Sequence, residues 1–143
     1  MNTSPTLAMM LLAASALVIL ALGSLHLLFT FRGTRLHPRD ANVRAGMEAG
    51  LPVLTRETTM WRAWIGFNAS HSYGAMLFGL AWGHLALAQS ALLAQSPFLL
   101  ALGLAVLLAY LHLGWRYWFS VPFRGIALAT LLYAAGLADL LLF

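Results

Sequence analysis

Four long apolar stretches dominate this sequence, and each is long enough to cross a lipid bilayer as an α-helix, which takes roughly 20 residues. They cover residues 7–31, 62–88, 98–118 and 125–143. Hydrophobic residues make up 62% of the chain and charged residues only 8%, whereas a soluble domain carries about 25% charged residues. The sequence therefore predicts an all-α integral membrane protein, a single transmembrane domain over residues 1–143 with four membrane-spanning helices in a compact bundle.

The segment between the first two spans, residues 32–60, is the only extended polar part of the chain. Asp40 is a good N-cap residue, so we expect a short helix from Asp40 to about Gly50 within this loop. Thr55 is the expected cap of the second long helix. We expect Pro122 to end the third span, since proline disfavours the helical conformation in the residue before it.

Every basic side chain is an arginine, and all eight lie in or beside two connections between spans. The positive-inside rule assigns such connections to the cytoplasm. It predicts that loops 32–60 and 119–124 are cytoplasmic and that both termini lie outside. Topology accounts for the basic charge, so we expect no nucleic-acid partner. The first apolar stretch is too long for a signal-peptide core, and we expect an uncleaved span.

Small residues at four-residue spacing predict which helix faces pack together in a membrane. On this basis we expect His26, His71 and His112 to face neighbouring helices at one depth in the cytoplasmic leaflet. We expect His84 to meet Asp139 near the outer face of the membrane. The predicted packing stripes are His71-Ala75-Gly79-Gly83, Ala101-Ala105-Ala109-His112, Ala16-Gly23-His26 and Ala127-Ala134-Ala138.

Polar groups at membrane depth are costly, so an intramembrane cluster of them marks a candidate site. The densest cluster lies at the start of the second span, where one helical face carries Trp61, Trp64, Asn68 and His71. An amphiphilic ligand such as a lipid or quinone could lie between the helices, with its polar head against these groups and against an arginine. The candidate ligand-binding residues are His71, Asn68, Trp64, Trp61, Ser72, His112, Arg116 and His26.

Two other functions remain open. Imidazole binds transition metals and haem iron, so His26, His71 and His112 could hold a metal or haem in a membrane enzyme or electron carrier. Alternatively, the protein is a structural helix bundle with no small-molecule site, whose outer surface binds a partner or forms a homo-oligomer. The amphiphile-binding protein could itself act as an accessory subunit of a larger membrane complex. The absence of cysteine excludes disulfides and thiolate metal sites. The sequence does not decide whether the protein is an enzyme.

The segment from Leu54 to Gly74, with Pro38-Arg39-Asp40 upstream and His26 in the first span, resembles a family of small four-helix proteins of the bacterial inner membrane. The resemblance covers most of the chain and implies four spans and a bacterial inner (plasma) membrane. That family has no established activity, so no substrate is implied. The chain is also similar in outline to four-helix membrane isomerases and sterol-binding proteins, but their acidic catalytic residues have no counterpart here.

Overall fold

The computed structural model describes residues 7–142, which form six α-helices and no strand. Three of the helices are long and apolar enough to cross a membrane, and they indicate a membrane protein. These are α1, α5 and α6. The six helices are α1 (Leu7–Phe31), α2 (Ala41–Ala49), α3 (Met60–Ala88), α4 (Ser90–Ala94), α5 (Pro97–Tyr117) and α6 (Ser120–Leu142).

The second predicted span, residues 62–88, falls on α3, which is not among the three candidate spans. The first half of this helix has a lower mean hydropathy because it contains the polar residues Asn68, Ser70, His71 and Ser72. Three of the four predicted spans are therefore confirmed as membrane-length apolar helices. Residues 1–6, which are predicted to lie outside the membrane, and the last residue of the fourth predicted span are not among the described residues.

The predicted short helix in the 32–60 segment is confirmed as α2. The Asp40 carboxylate accepts a hydrogen bond from the backbone N–H of Asn42 at 2.8 Å, and so caps the first turn. The helix stops at Gly50, whose N–H donates to the Gly46 carbonyl at 2.8 Å.

The predicted start of the second long helix at Thr55 is wrong. The helix begins at Met60, and the hydroxyl that accepts from its first turn belongs to Thr59, at 3.3 Å from the N–H of Arg62. The Thr55 hydroxyl instead accepts from the N–H of Glu57 at 3.1 Å. This is a local turn of the kind that threonine side chains support outside helices.

The connection between the last two helices is shorter than the predicted loop 119–124. Helix α5 ends at Tyr117 and α6 begins at Ser120, five residues before the predicted start at Gly125. Pro122 does not end α5; it lies in the first turn of α6. Proline is tolerated there because the first N–H groups of a helix have no intrahelical partner to lose.

The described residues group into two compact units, one containing the chain up to Leu22 and from Ala75 onward, and the other containing Gly23–Gly74. In the first unit, the largest fully buried side chain is Tyr133 of α6. Its hydroxyl accepts from the Trp82 indole N–H at 3.1 Å and donates to the Leu100 carbonyl at 3.0 Å. This pair of bonds joins α3, α5 and α6.

The predicted packing stripe of α3 is confirmed where it meets α1 in the first unit. Ala75 and Gly79 are buried, and so is Ala16 of the α1 stripe. A Cβ atom at Gly79 would lie 2.8 Å from the Ala16 carbonyl oxygen and 2.9 Å from the Leu20 Cα. Only glycine allows this approach of the two backbones.

The predicted stripes of α5 and α6 are wrong. Ala101, Ala105, Ala109 and His112 are all exposed, as are Ala134 and Ala138. The buried residues of α5 are instead Gly103, Leu107 and Gly114, and those of α6 are Ile126, Ala129, Thr130, Tyr133 and Gly136.

The predicted partner of Asp139 is also wrong. Its carboxylate accepts from the N–H of Ala8 at 3.1 Å rather than meeting His84. An acidic group is favoured there because the start of α1 carries the positive end of the helix dipole.

Candidate functional site

Two histidines and an asparagine meet in the second unit, where the last turns of α1 lie beside the first turns of α3. The His26 Nε2 and Asn68 Oδ1 atoms are 2.9 Å apart. The ring of His71 stands edge-on to that of His26, with 5.3 Å between the ring centroids and an interplanar angle of 80°. We refer to His26, Asn68 and His71 as the histidine cluster.

The hydrogen bonds around Asn68 fix its orientation. Its amide nitrogen donates to the Trp64 carbonyl at 2.8 Å, so its Oδ1 is the acceptor that faces α1. The His26 Nε2–H therefore donates to Asn68. The Ser72 hydroxyl is buried and donates to the Asn68 carbonyl at 2.9 Å. These hydrogen bonds from Asn68 to Trp64 and from Ser72 to Asn68 lie within α3, and the His26–Asn68 bond joins α1 to α3.

The two tryptophans at the start of α3 hold the 32–60 segment. The Trp64 indole N–H donates to the Leu36 carbonyl at 3.3 Å. The Trp61 and His37 rings meet edge-on, with 4.9 Å between their centroids. The Arg44 guanidinium carbon lies 4.6 Å from the centre of the Trp61 ring, in a cation–π contact. Both predicted site tryptophans therefore contact protein groups in the loop.

A groove of about 460 Å³ runs between α5 and α6 in the first unit, within the size range of small-molecule sites. Its surface is almost wholly apolar, with one imidazole and one indole at the end nearest the α5–α6 connection. The ring centroids of His112 and Trp115 lie 6.2 Å apart. The groove is lined by Leu108, Leu111, His112, Trp115, Phe123, Ala127, Thr130 and Leu131.

The polar capacity of the groove is concentrated at one end. The Thr130 hydroxyl donates to the Ile126 carbonyl of its own helix at 2.8 Å, so its donor is used within α6. His112 is exposed and carries the ionisable side chain of the lining, and Arg116 follows it one helical turn later on α5. This arrangement can hold an apolar chain with a polar end group beside the imidazole.

A second cavity, of about 510 Å³, lies at the end of α1 in the second unit. Arg32 and Arg35 are among the residues that line it, and the Arg35 guanidinium carbon lies 4.3 Å from the centre of the Phe29 ring. Gly33 has a φ of +85°, which glycine adopts without a Cβ clash and which turns the chain directly after the helix. Two arginines beside one cavity are residues of the kind that bind anions.

The eight predicted ligand-binding residues therefore lie in different settings. His26, Asn68 and His71 meet, Ser72 is bonded within α3, and Trp61 and Trp64 hold the loop. His112 lines the groove on α5, and Arg116 is exposed nearby. Among residues 7–142, no three His, Asp or Glu side chains form a group that could hold a metal ion. The metal prediction for His26, His71 and His112 gains no support from this part of the chain.

The groove between α5 and α6 was not predicted from the sequence as a binding site. Leu108 and Leu131 give no signal on their own, because leucines occur on every face of these helices. The groove results from the pairing of α5 with α6. The only available clue was that His112 and Trp115 are three residues apart and so share a helical face.

Comparisons with family models, with curated proteins and with solved structures gave no match to this chain. These comparisons do not support the resemblance of the Leu54–Gly74 segment to a bacterial membrane family.

Proposed function

We propose that this protein is a four-span protein of the bacterial inner membrane that binds an amphiphilic ligand, a lipid or a quinone, in the groove between α5 and α6. The observation that carries the proposal is the groove itself, with its apolar lining and its single imidazole. An amphiphile needs this combination, since its chain is stabilised by apolar contacts and its head by a few polar groups at one end.

The position of the arginines supports a ligand head on the cytoplasmic side. Arg116 and Arg124 flank the connection between α5 and α6, near the end of the groove that carries His112 and Trp115. In the proposed topology, the connections on this side are cytoplasmic and both termini lie outside. Arginine and tryptophan are typical of the membrane boundary, where lipid head groups lie.

The proposal of a fourth span rests on the length of α3. This helix has 29 residues, which corresponds to about 43 Å at 1.5 Å per residue and exceeds the roughly 30 Å hydrocarbon core. The polar residues of its first half include Asn68 and His71 of the histidine cluster, and the His26–Asn68 bond satisfies a donor and an acceptor between α1 and α3. Such pairing lowers the cost of polar groups at membrane depth.

The test is native mass spectrometry of the protein purified in mild detergent and stripped of lipid. Palmitoyl-oleoyl phosphatidylglycerol, the corresponding phosphatidylcholine and a short-chain quinone are added in separate arms. We expect one adduct per chain to survive for at least one probe. Ala127→Trp places an indole in the groove and should weaken that adduct roughly tenfold, because excluding two methylene groups costs about 1.6 kcal/mol.

Ala134→Trp is the matched control, since Ala134 is exposed on the same helix and does not line the groove. It should leave the adduct unchanged. His112→Ala, at an exposed position, should weaken binding of a probe with a polar head without affecting folding. If no probe binds the wild-type protein, or if both tryptophan variants bind equally well, the proposal fails. A dimeric mass that persists without lipid and is lost in Ala127→Trp would instead assign the groove to a second copy of the chain.

A further inference from the structure

The loop between α2 and α3 presents four apolar residues, Leu51-Pro52-Val53-Leu54, which we call the apolar tip. Val53 is fully exposed at 109% of its reference surface, Leu54 at 94% and Leu51 at 50%. Contiguous apolar residues with this exposure are unusual in a folded segment and mark a surface that contacts something else.

Hydrogen bonds hold the apolar tip in place. At its base, the N–H of Met60 donates to the Gly50 carbonyl at 2.9 Å, which closes the loop between the end of α2 and the start of α3. Within the loop, the N–H of Thr55 donates to the Pro52 carbonyl at 3.3 Å. The tip therefore lies in a loop that closes on the first residue of α3, on the side of the protein where α1 ends.

The segment that carries the tip is basic. Residues 32–62 contain six arginines against three carboxylates, a net charge of +3. Two of these arginines, Arg32 and Arg35, line the cavity at the end of α1. A basic surface with an exposed apolar element is the combination that binds the interface of an anionic membrane.

We propose that the apolar tip inserts into the head-group region of an anionic phospholipid leaflet, the leaflet at which α1 ends and α3 begins. A second copy of the chain fits this surface less well, because it would bring another segment of net charge +3 against the first, and like charges repel. The proposal is independent of the groove between α5 and α6, and either can fail without the other.

The absence of cysteine makes the test direct, since a single introduced thiol is the only one in the protein. Val53→Cys and Leu54→Cys are labelled with the environment-sensitive fluorophore NBD, and the full chain is placed in nanodiscs at one copy per disc. Val43→Cys is the matched control, because Val43 is 51% exposed on α2 outside the tip. One set of discs contains phosphatidylglycerol and the other only phosphatidylcholine.

We expect the labels at residues 53 and 54 to emit at shorter wavelength and to be protected from aqueous iodide in the phosphatidylglycerol discs, with a smaller effect in phosphatidylcholine. The label at residue 43 should remain quenchable in both. The proposal is overturned if the tip labels are as accessible as the control in phosphatidylglycerol. Equal protection in the two lipids would overturn the anionic preference. Protection that appears only with two copies per disc would assign the tip to self-association.

Discussion

Replacing Gly79 with alanine should destabilise the protein by forcing α1 and α3 apart. The added Cβ would lie 2.5 Å from the Leu20 Cβ, 2.8 Å from the Ala16 carbonyl oxygen and 2.9 Å from the Leu20 Cα. Carbon atoms in contact are normally about 3.5–4.0 Å apart. Two of the clashing atoms belong to the backbone, so no change of side-chain rotamer can remove the overlap, and the helices must separate.

Gly66 provides a matched control on the same helix. A Cβ at Gly66 meets no atom within 4 Å, and the residue is exposed. Alanine favours a helix over glycine by about 1 kcal/mol at either position, so the difference between Gly79→Ala and Gly66→Ala isolates the clash. Overpacking costs about 1–3 kcal/mol, and we expect Gly79→Ala to be less stable than Gly66→Ala by that amount.

The assay is reversible unfolding in mixed micelles, with helix content followed by circular dichroism as the fraction of denaturing detergent rises. The wild-type protein and the two variants are compared at equal protein concentration. Gly66→Ala should unfold at or above the wild-type midpoint and Gly79→Ala below it. If the two variants unfold at the same midpoint, α1 and α3 do not approach each other at Gly79 and the described packing is refuted.

Three further predictions use the same unfolding assay. Tyr133→Phe should cost about 1–3 kcal/mol, because it leaves the part-buried indole N–H of Trp82 without its acceptor. Tyr73→Phe, at an exposed position, should cost almost nothing, and equal effects of the two variants would contradict the hydrogen bonds of Tyr133. Thr59→Ala should cost about 1 kcal/mol of stability through loss of the α3 cap. A larger loss of stability in Thr55→Ala would indicate that α3 begins after Thr55 instead. Asn68→Ala should cost about 0.5–1.5 kcal/mol and shift the imidazole NMR signals of its partner on α1; unshifted signals would argue against the bond.

The helices themselves could be predicted from the sequence because long apolar runs leave few alternatives. The predicted first span coincides with α1, and the Asp40 cap identified the start of α2. The start of α3 could not be predicted, since Thr55 and Thr59 are equally good caps by residue type. The bond between the Met60 N–H and the Gly50 carbonyl, a contact across ten residues, favours the later start.

The packing faces were predictable only where close approach demands glycine. The stripe through Gly79 was correct because two backbones meet there. The alanine stripes of α5 and α6 were wrong because alanine is small enough for a packed face and apolar enough for an exposed one. Bulky residues such as Leu107 and Tyr133 fill the core instead. The groove depends on how two helices pair, and within a single helix only the spacing of His112 and Trp115 hinted at it.

The proposed binding of an amphiphile is tested most directly by an experimental density map of the protein in a lipid nanodisc. We expect elongated density between α5 and α6, in contact with Leu108 and Leu131, with its head beside His112 and the guanidinium of Arg116. Density from a helix of a second copy in that groove, or a groove filled only by disordered bulk lipid without a resolved head group, would contradict it.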